Sequence, residues 1–341
     1  MPIREEVLID CLEPFKGFVL STIIFALYDK GLDRDLARGC TLAELAARRD
    51  LDPERTAAFL DYLVAAGLVS HDSAGAFRLT DTGRKYGEAR AWYEMMVGGY
   101  GTTFLSLGDH LAAGSAPAPR VGRYVGTGSC GISLHDSIPL LRRLLTETGR
   151  DYRRLVDLGC GSGVYLTELC QDYPKLSAVG IEPDAGAARQ AREWVAAQPA
   201  GDRVTVEQTD ALDWLAAAAA AQQPPDLAVL AFVIHEILGQ AGEGGVRKFL
   251  TELFTHAPDL DLAIVDIDLC SADAAAMAHG LAQNYYNAYF LMHPFTRQRL
   301  KPREWWEALF ADCGLEIVTS GLTDPAMDST GIEVGWLLRR A

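Results

Sequence analysis

The run Leu155-Val156-Asp157-Leu158-Gly159-Cys160-Gly161-Ser162-Gly163 constrains the fold more than any other part of the chain. Apolar, β-branched residues that end in an acid are typical of a buried parallel strand, and the glycines predict a turn into a helix. Backbone without side chains can approach a ligand closely there. A dinucleotide-binding fingerprint would need a third glycine at position 164, where this chain has Val164. The spacing therefore favours a different class of nucleotide-like ligand.

Two further predicted strands end in acidic residues at matching positions. Residues 178–182 form an apolar strand that ends in Glu182, roughly twenty residues beyond the glycines, where a carboxylate can accept both hydroxyls of a ribose. Residues 204–206 form a third strand, and the chain then reaches Asp210 and Ala211. We therefore expect an α/β domain with a ligand at the carboxyl edge of its sheet.

Together these motifs resemble those of the class I methyltransferases, which have a Rossmann-like fold and bind S-adenosylmethionine. In that family the glycine motif and the acids at the ends of the next two strands contact the cofactor. The resemblance implies cofactor-binding roles for Asp157, Gly159, Gly161, Glu182, Asp210 and Ala211.

Composition narrows the class of partner. The chain has 341 residues and a formal net charge of −15, with a pI near 4.9. Nucleic acids and anionic membranes attract clustered Lys and Arg, so this balance argues against both as partners. The sequence shows no signal peptide, no membrane span and no paired spacing of its seven cysteines. We therefore expect a cytoplasmic enzyme that acts on a small molecule.

The first hundred residues predict a separate helical domain. Residues 7–29 are apolar at helical spacing, with an expected break at Pro14. A capping box at Thr41 and an N-cap at Asp52 begin two further helices, and a hairpin follows near residues 68–79. The pattern is that of a winged helix. We expect this domain at residues 1–100, a linker with connecting helices at 101–147, and the cofactor-binding methyltransferase domain at 148–341.

A winged helix also raises the alternative of a DNA-binding regulator. The helix that would enter the groove, residues 53–66, offers only Arg55 against Glu54 and Asp61. Small-molecule methyltransferases of the plant O-methyltransferase type, which the chain resembles here, use such a domain for dimerisation. A long apolar face near a terminus also needs a partner. We therefore predict a homodimer through residues 1–100.

Candidate substrate contacts lie in the middle and late parts of the chain. Arg120 and Arg123 stand beside glycines and a tyrosine between the predicted domains, and a guanidinium suits the carboxylate of an acidic substrate. Tyr289, within an aromatic stretch, is the third candidate.

The catalytic candidates follow a buried fourth strand. Residues 226–234 predict that strand, which brings His235 and Glu236 to the carboxyl edge of the sheet, where ligands bind in open α/β folds. A fifth strand at 262–268 and a closing pair at 315–320 and 333–338 complete the predicted sheet.

Here the chain resembles two enzyme groups. In the plant-type O-methyltransferases a histidine at this position is the general base, which implies that role for His235. Over nearly its whole length the chain resembles a smaller group, the α-keto acid C-methyltransferases of antibiotic and amino-acid biosynthesis, which includes the phenylpyruvate and 2-ketoarginine enzymes. Residues 92–100, 122–130 and 235–238 are most similar to the 2-ketoarginine member. Some members hold a metal through two histidines, which implies His293 as the second ligand beside His235.

The second resemblance implies transfer of a methyl group to the β-carbon of an α-keto acid, with 2-ketoarginine or a similar compound as substrate, through a metal-stabilised enolate. His235, Glu236 and His293 are the predicted ligands of an iron or zinc ion, and His235 and Glu236 the predicted catalytic residues. Glu236 is the least constrained of them, since it could instead orient an imidazole or take the β-carbon proton. An O-methyltransferase with His235 as base remains the alternative.

Overall fold

The computed structural model describes residues 3–341 and separates the chain into two compact units, Met1–Gly99 and Tyr100–Ala341. Each unit has its own hydrophobic core. Residues 101–147 belong to the second unit, and the expected boundary at 147/148 stays a prediction. Within residues 3–341 no helix has both the length and the apolar character that crossing a membrane requires.

In residues 3–99, the described part of the first unit, six α-helices combine with a small antiparallel sheet of strand order β1-β3-β2. A single π-helical turn, Glu94–Gly99, follows the last helix. Its elements are α1 (Glu5–Asp29), α2 (Leu32–Arg38), β1 (Cys40–Thr41), α3 (Leu42–Arg49), α4 (Pro53–Ala65), β2 (Val69–His71), β3 (Ala76–Leu79), α5 (Asp81–Glu88) and α6 (Arg90–Tyr93).

The local signals predicted for this unit are present, with one exception. The side chain of Thr41 accepts from the backbone N–H of Glu44, whose carboxylate accepts from the N–H of Thr41 at 2.8 Å, so the capping box forms. Asp52 caps α4, and β2 and β3 form the hairpin. The break expected at Pro14 was wrong: α1 continues through it. The proline is exposed, so water can satisfy the backbone carbonyl group that loses its partner.

The second unit contains a seven-stranded sheet and ten α-helices. Short 3-10 helices at Leu107–His110, Gly201–Arg203 and His293–Thr296 and a π-helical turn at Ala282–Tyr286 connect them. Its elements are α7 (Gly101–Leu105), α8 (Gly122–Ser133), α9 (Ser137–Thr148), β4 (Arg154–Leu158), α10 (Val164–Asp172), β5 (Ser177–Ile181), α11 (Ala185–Ala196), β6 (Val204–Glu207), α12 (Ala211–Ala220), β7 (Leu227–Ala231), α13 (Ile234–His256), β8 (Asp261–Ile267), α14 (Ala274–Met277), α15 (Asn287–Met292), α16 (Arg303–Asp312), β9 (Leu315–Leu322) and β10 (Glu333–Arg340).

The sheet order β6-β5-β4-β7-β8-β10-β9 places the two candidate motifs side by side. Strands β4 to β8 are parallel, and β10 pairs antiparallel with both β8 and β9. After β4 the chain moves outward to β5 and β6, then returns to place β7 on the other side of β4. Ligands bind in open α/β sheets at such a reversal. The glycine turn after β4 and the residues after β7 lie there.

The fourth strand of the parallel set, β7, is shorter than predicted. It ends at Ala231, and Phe232 adopts a positive φ of 57°, which lies outside the β region. His235 therefore lies in the first turn of α13 rather than at the end of a strand. An apolar run alone cannot show where a buried strand ends and a buried helix begins, because both elements consist of apolar residues.

Candidate active site

The glycine turn after β4 has the backbone that only glycine adopts readily. Gly159, Gly161 and Gly163 have φ values of 90°, 53° and 82°. A Cβ atom on Gly159 would lie 2.9 Å from Cγ2 of Val233, closer than side chains tolerate. The N–H of Gly159 donates to the carbonyl oxygen of Ile181 at 2.9 Å, which holds the turn against the end of β5.

Two carboxyl groups at this edge lack a balancing charge. Asp157 is buried, its Oδ2 atom has no hydrogen-bond partner among the described residues, and burial together with the charge of Glu182 raises its pKa to about 8. Burial also raises the pKa of Glu182, whose Oε1 atom accepts from the N–H of Asp184 at 3.0 Å. Such carboxyls fit a ligand that brings hydroxyl groups and a positive charge, and S-adenosylmethionine has both.

The third predicted contact lies at the next strand end. Asp210 caps α12, since its Oδ1 atom accepts from the N–H of Leu212 at 2.8 Å, and Ala211 is the first residue of that helix. The ends of β4, β5 and β6 are neighbours in the sheet, so the predicted cofactor residues share one edge. Their individual contacts stay predictions.

His235 is held by a carboxylate on the neighbouring strand. Its Nδ1 atom lies 2.8 and 3.0 Å from the two oxygens of Asp266, and both side chains are buried. Burial opposes protonation of His235. The charge and the hydrogen bond of Asp266 outweigh this effect, so the pKa of His235 is raised. The carboxylate fixes the proton on Nδ1, so the neutral ring presents the lone pair of Nε2.

The second histidine lies next to the first. The ring centroids of His235 and His293 are 5.0 Å apart, and Nδ1 of His293 lies 2.6 Å from the carbonyl oxygen of Tyr289. Nδ1 must donate to that oxygen, so Nε2 carries a lone pair, and it is buried without a partner among the described residues. Burial and the nearby His235 hold the pKa of His293 well below its usual range. A neutral imidazole with a free lone pair suits a metal ion or a hydrogen-bond donor of a ligand.

Glu236 is engaged differently from the prediction. Its carboxylate accepts two hydrogen bonds from Arg120, at 2.8 and 3.2 Å, and one from Nε2 of Gln298 at 2.8 Å. Burial opposes ionisation of Glu236, but the hydrogen bonds and charge of Arg120 outweigh it and lower its pKa. Across residues 3–341 no group of three or more His, Cys, Asp or Glu side chains is arranged to hold a metal ion. The structure does not support the predicted three-ligand site. The Glu236 carboxylate is hydrogen-bonded to Arg120 and Gln298 instead.

Two of the three candidate substrate-binding residues, Tyr289 and Arg120, lie in the site, and the third, Arg123, does not. The Tyr289 ring is buried 4.1 Å from that of His293, so the structure brings this residue into the site. Arg120 is part-buried and in the site, with two of its N–H groups used by Glu236. Arg123 is exposed, and its guanidinium lies over the ring of Tyr124 at 4.3 Å, so it does not join Arg120.

Two residues of the candidate site, Asp266 and Gln298, were not among the predicted site residues. Asp266 lies one residue before the end of β8, the strand next to β7. Its position was visible in the sequence, but its pairing with His235 depends on the strand order. Gln298 lies in an irregular segment and joins Glu236, Tyr100 and Thr296 through its amide. No pattern in the sequence singles it out.

Comparison with known proteins adds the family to this geometry. Residues 155–256 match the methyltransferase domain family. The chain is 36% identical over 337 residues to 2-ketoarginine methyltransferase from Streptomyces arginensis, covering 98% of this chain and 96% of that protein. It is 29% identical over 234 residues to indolepyruvate C-methyltransferase from Streptomyces griseus, covering 65% and 66% of the two chains.

Solved structures share the fold across the whole chain. Human N-acetylserotonin methyltransferase in complex with S-adenosylmethionine superposes with a TM-score of 0.64 at 17% identity, covering 100% of this chain and 99% of that one. At that identity the likeness shows the architecture only.

Proposed function

Because the chain belongs to the S-adenosylmethionine-dependent methyltransferases, we propose that it transfers a methyl group to the β-carbon of an α-keto acid. Two relatives support the substrate class, since the name of each specifies a keto acid. The structural observation that supports it most is the buried pair His235 and His293, whose ring centroids are 5.0 Å apart and in which Nε2 of His293 has no partner among the described residues.

The cofactor supplies an electrophilic sulfonium methyl group, so the protein has to bind it and bring a carbon nucleophile in line with it. The glycine turn lets backbone N–H groups come close to the ligand. In this proposal the carboxylate of Glu182 accepts the ribose hydroxyls and Asp157 balances a positive charge. Asp210 and Ala211 would contact the adenine, and the strand order β6-β5-β4, which puts the ends of these strands side by side, supports such a shared edge.

The proposal includes a metal ion held by two protein ligands instead of the three predicted from the sequence. The donor set that fits is His235 and His293, because each Nδ1 atom is engaged. Nε2 of His293 has no partner among the described residues, and Nε2 of His235 has a long contact of 3.5 Å with Nε2 of Gln298, which a stronger partner can replace. An iron or zinc ion held there would withdraw electron density from the carboxylate and keto oxygens of the substrate and so acidify the proton on the β-carbon. The proposal leaves Glu236 out as a third ligand, because its carboxylate already accepts hydrogen bonds from Arg120 and Gln298.

The protein groups around the histidines have separate roles in this proposal. Arg120 donates two N–H groups to Glu236 and is also hydrogen-bonded to Tyr100, and its remaining N–H groups can bind the substrate carboxylate. Tyr289 forms an aromatic wall against His293. Asp266 holds His235 in the orientation that exposes Nε2.

A cationic side chain on the keto acid, as in 2-ketoarginine, is supported by buried acids beyond the tyrosines. Asp136, Asp328 and Glu333 are 7%, 6% and 2% exposed. Burial raises the pKa of Asp136 to about 6 and that of Glu333 well above its usual range, and the charges of Asp136 and Asp328 raise the latter further. Tyr286 donates to Asp328 at 2.5 Å, and its ring lies 6.5 Å from that of Tyr289. A guanidinium would relieve the repulsion among these acids.

The alternative, a small-molecule O-methyltransferase, is favoured by one observation. The buried pair of His235 and Asp266 is also what a general base requires, with a carboxylate to orient and charge-balance the imidazole. In that case His235 removes a proton from a hydroxyl group, and His293 has no catalytic task. Antibiotic or amino-acid biosynthesis and a cytoplasmic location remain predictions under either function.

A substrate panel distinguishes the two functions. Purified enzyme with S-adenosylmethionine is titrated with 2-ketoarginine, phenylpyruvate, indolepyruvate and a phenol, and the products are analysed by NMR. We expect a new methyl group on the β-carbon of a keto acid, with 2-ketoarginine preferred. Methylation of the phenol oxygen, with no keto acid turned over, would establish the alternative instead.

A further inference from the structure

We propose that Gln298 is a positioning residue that holds the Arg120–Glu236 ion pair in the orientation that binds the substrate carboxylate. The inference rests on the proposed function. Gln298 is 5% exposed, and its amide contacts two distant parts of the second unit as well as Thr296 in its own segment. Its Nε2 atom donates to Glu236 at 2.8 Å and lies 3.5 Å from Nε2 of His235, and its Oε1 atom accepts from Tyr100 at 3.3 Å and from Thr296 at 2.7 Å.

Chemistry fixes which way the amide faces. Two hydroxyl groups can donate to Oε1, whereas the Glu236 carboxylate, whose two oxygens both accept from Arg120, presents only acceptors to Gln298. Turning the amide round would place Oε1 2.8 Å from a carboxylate oxygen and leave Glu236 without this donor. The orientation of Gln298 is therefore set by Glu236 on one side and by Tyr100 and Thr296 on the other.

The backbone around Gln298 is docked on the first turns of α13. The N–H of Gln298 donates to the carbonyl oxygen of His293 at 3.1 Å, and the N–H of Arg299 donates to that of His235 at 3.0 Å. Gly239 allows the close approach, since a Cβ atom there would lie 2.0 Å from the carbonyl oxygen of Arg297. The segment that carries His293 is thus joined to the helix that carries His235 and Glu236.

This arrangement makes the position of Arg120 depend on Gln298. Glu236 takes two of the five N–H groups of the guanidinium and so determines where the remaining ones face. Gln298 in turn holds the Oε1 atom of Glu236. Without Gln298 the ion pair can rotate about the bonds of both side chains, and the substrate carboxylate loses an aligned partner. Cofactor contacts lie at the ends of other strands and should not change.

Two variants of Gln298 test the inference. Gln298→Leu removes the amide, and Gln298→Glu keeps its shape while presenting an oxygen to Glu236. For both we expect the KM for the keto acid to rise at least tenfold, with a smaller change in kcat and an unchanged affinity for S-adenosylmethionine. Gln240→Leu is the matched control, because the exposed Gln240 reaches the other oxygen of Glu236 at 3.5 Å, where water can replace it. It should change KM less than twofold.

A double-mutant cycle separates positioning from general loss of structure. If Gln298 acts through Glu236, Gln298→Leu should raise KM much less in a Glu236→Gln background than in the wild type. Additive effects in an enzyme that turns over keto acids would overturn the inference. The same cycle measured on unfolding by urea needs no substrate, and additivity there would also count against it. A wild-type enzyme that turns over no keto acid would instead refute the proposed function.

Discussion

Nδ1 of His235 lies 2.8 Å from Oδ1 of Asp266, with the two side chains 1% and 0% exposed. Because Nδ1 of His235 is bonded to Asp266, Nε2 is the nitrogen of this ring that a ligand can contact. Nε2 cannot bind a metal ion and accept a substrate proton with the same lone pair. The two candidate functions therefore make opposite predictions for the second histidine.

The first prediction concerns metal removal. If His235 and His293 hold a metal ion, chelation should abolish turnover while S-adenosylmethionine still binds, and His293→Ala should be nearly as damaging as His235→Ala. Activity and elemental content are measured before and after metal removal and restoration. His256→Ala, on the far end of α13, is the control and should be active. Full activity in metal-free protein would rule the metal out, and a mild His293→Ala would favour His235 as a base.

The second prediction concerns the pH dependence of cofactor binding. The pKa of Asp157 is about 8 in the free protein, so its carboxyl is mostly protonated at neutral pH. A positively charged cofactor favours the ionised form, so binding should release a proton, and affinity should rise with pH until about pH 8 and then level off. Calorimetry in two buffers of different ionisation enthalpy measures the proton release. Asp157→Asn should remove both the release and the slope; an unchanged slope would contradict the prediction.

The third prediction concerns Glu333. Because burial raises its pKa, the folded protein keeps a proton that the unfolded chain loses above its ordinary pKa of 4.5. The free energy of unfolding therefore falls as pH rises from 4.5 towards the raised pKa of Glu333 in the folded protein. Glu333→Gln carries no ionisable group, so it should make the protein more stable than the wild type at pH 8. The same change should lower kcat/KM for 2-ketoarginine at least tenfold but leave phenylpyruvate largely unaffected.

Urea unfolding at several pH values and steady-state kinetics check the Glu333 prediction. Glu316→Gln, an exposed acid on β9, is the control for the loss of a charge and should change neither quantity. Equal losses for both keto acids would show that Glu333 has no part in selecting a cationic side chain.

The fourth prediction compares two glycines of α13. Gly239→Ala should destabilise the protein by about 2 kcal/mol or more, since its Cβ would collide with the backbone of Arg297. Gly244→Ala has open space at its Cβ and should be neutral or stabilising by up to about 1 kcal/mol. Urea unfolding of the two variants gives the difference. Similar stabilities would mean that residues 297–299 are not packed on this helix as described.

The fifth prediction is the homodimer through residues 1–100. Helix α1 exposes large apolar side chains, with Ile9, Phe15 and Phe18 64%, 64% and 52% exposed. Covering such a face is favourable by the hydrophobic effect, and a symmetric pair of identical chains can do so. Sedimentation should find a dimer at micromolar concentration. Phe15→Glu should weaken the dimer, whereas Lys16→Glu, which changes no apolar group, should weaken it much less. A wild-type monomer would refute the prediction.

Much of the fold was predictable because its signals are local in sequence. The glycines after β4, the acids at the ends of the next strands and the capping box at Thr41 each depend on a few neighbouring residues, and each predicted element is present. The class I methyltransferase fold and the methyltransferase family were confirmed for the same reason. Only the end of β7 and the continuity of α1 were misjudged, since apolar runs and exposed prolines leave the local structure open.

The sequence by itself determined the order of strands and helices, the glycine turn and the candidate histidines, because periodicity and turn chemistry act over short stretches of chain. Only the tertiary structure decided which side chains meet. The pairing of β7 with β8 brings Asp266 to His235, and the docking of residues 297–299 on α13 brings Gln298 to Glu236. Arg120 donates hydrogen bonds to the carboxylate of Glu236, which had been expected to bind a metal. Such contacts depend on strand order and helix packing, which are set by the whole core rather than by any one segment.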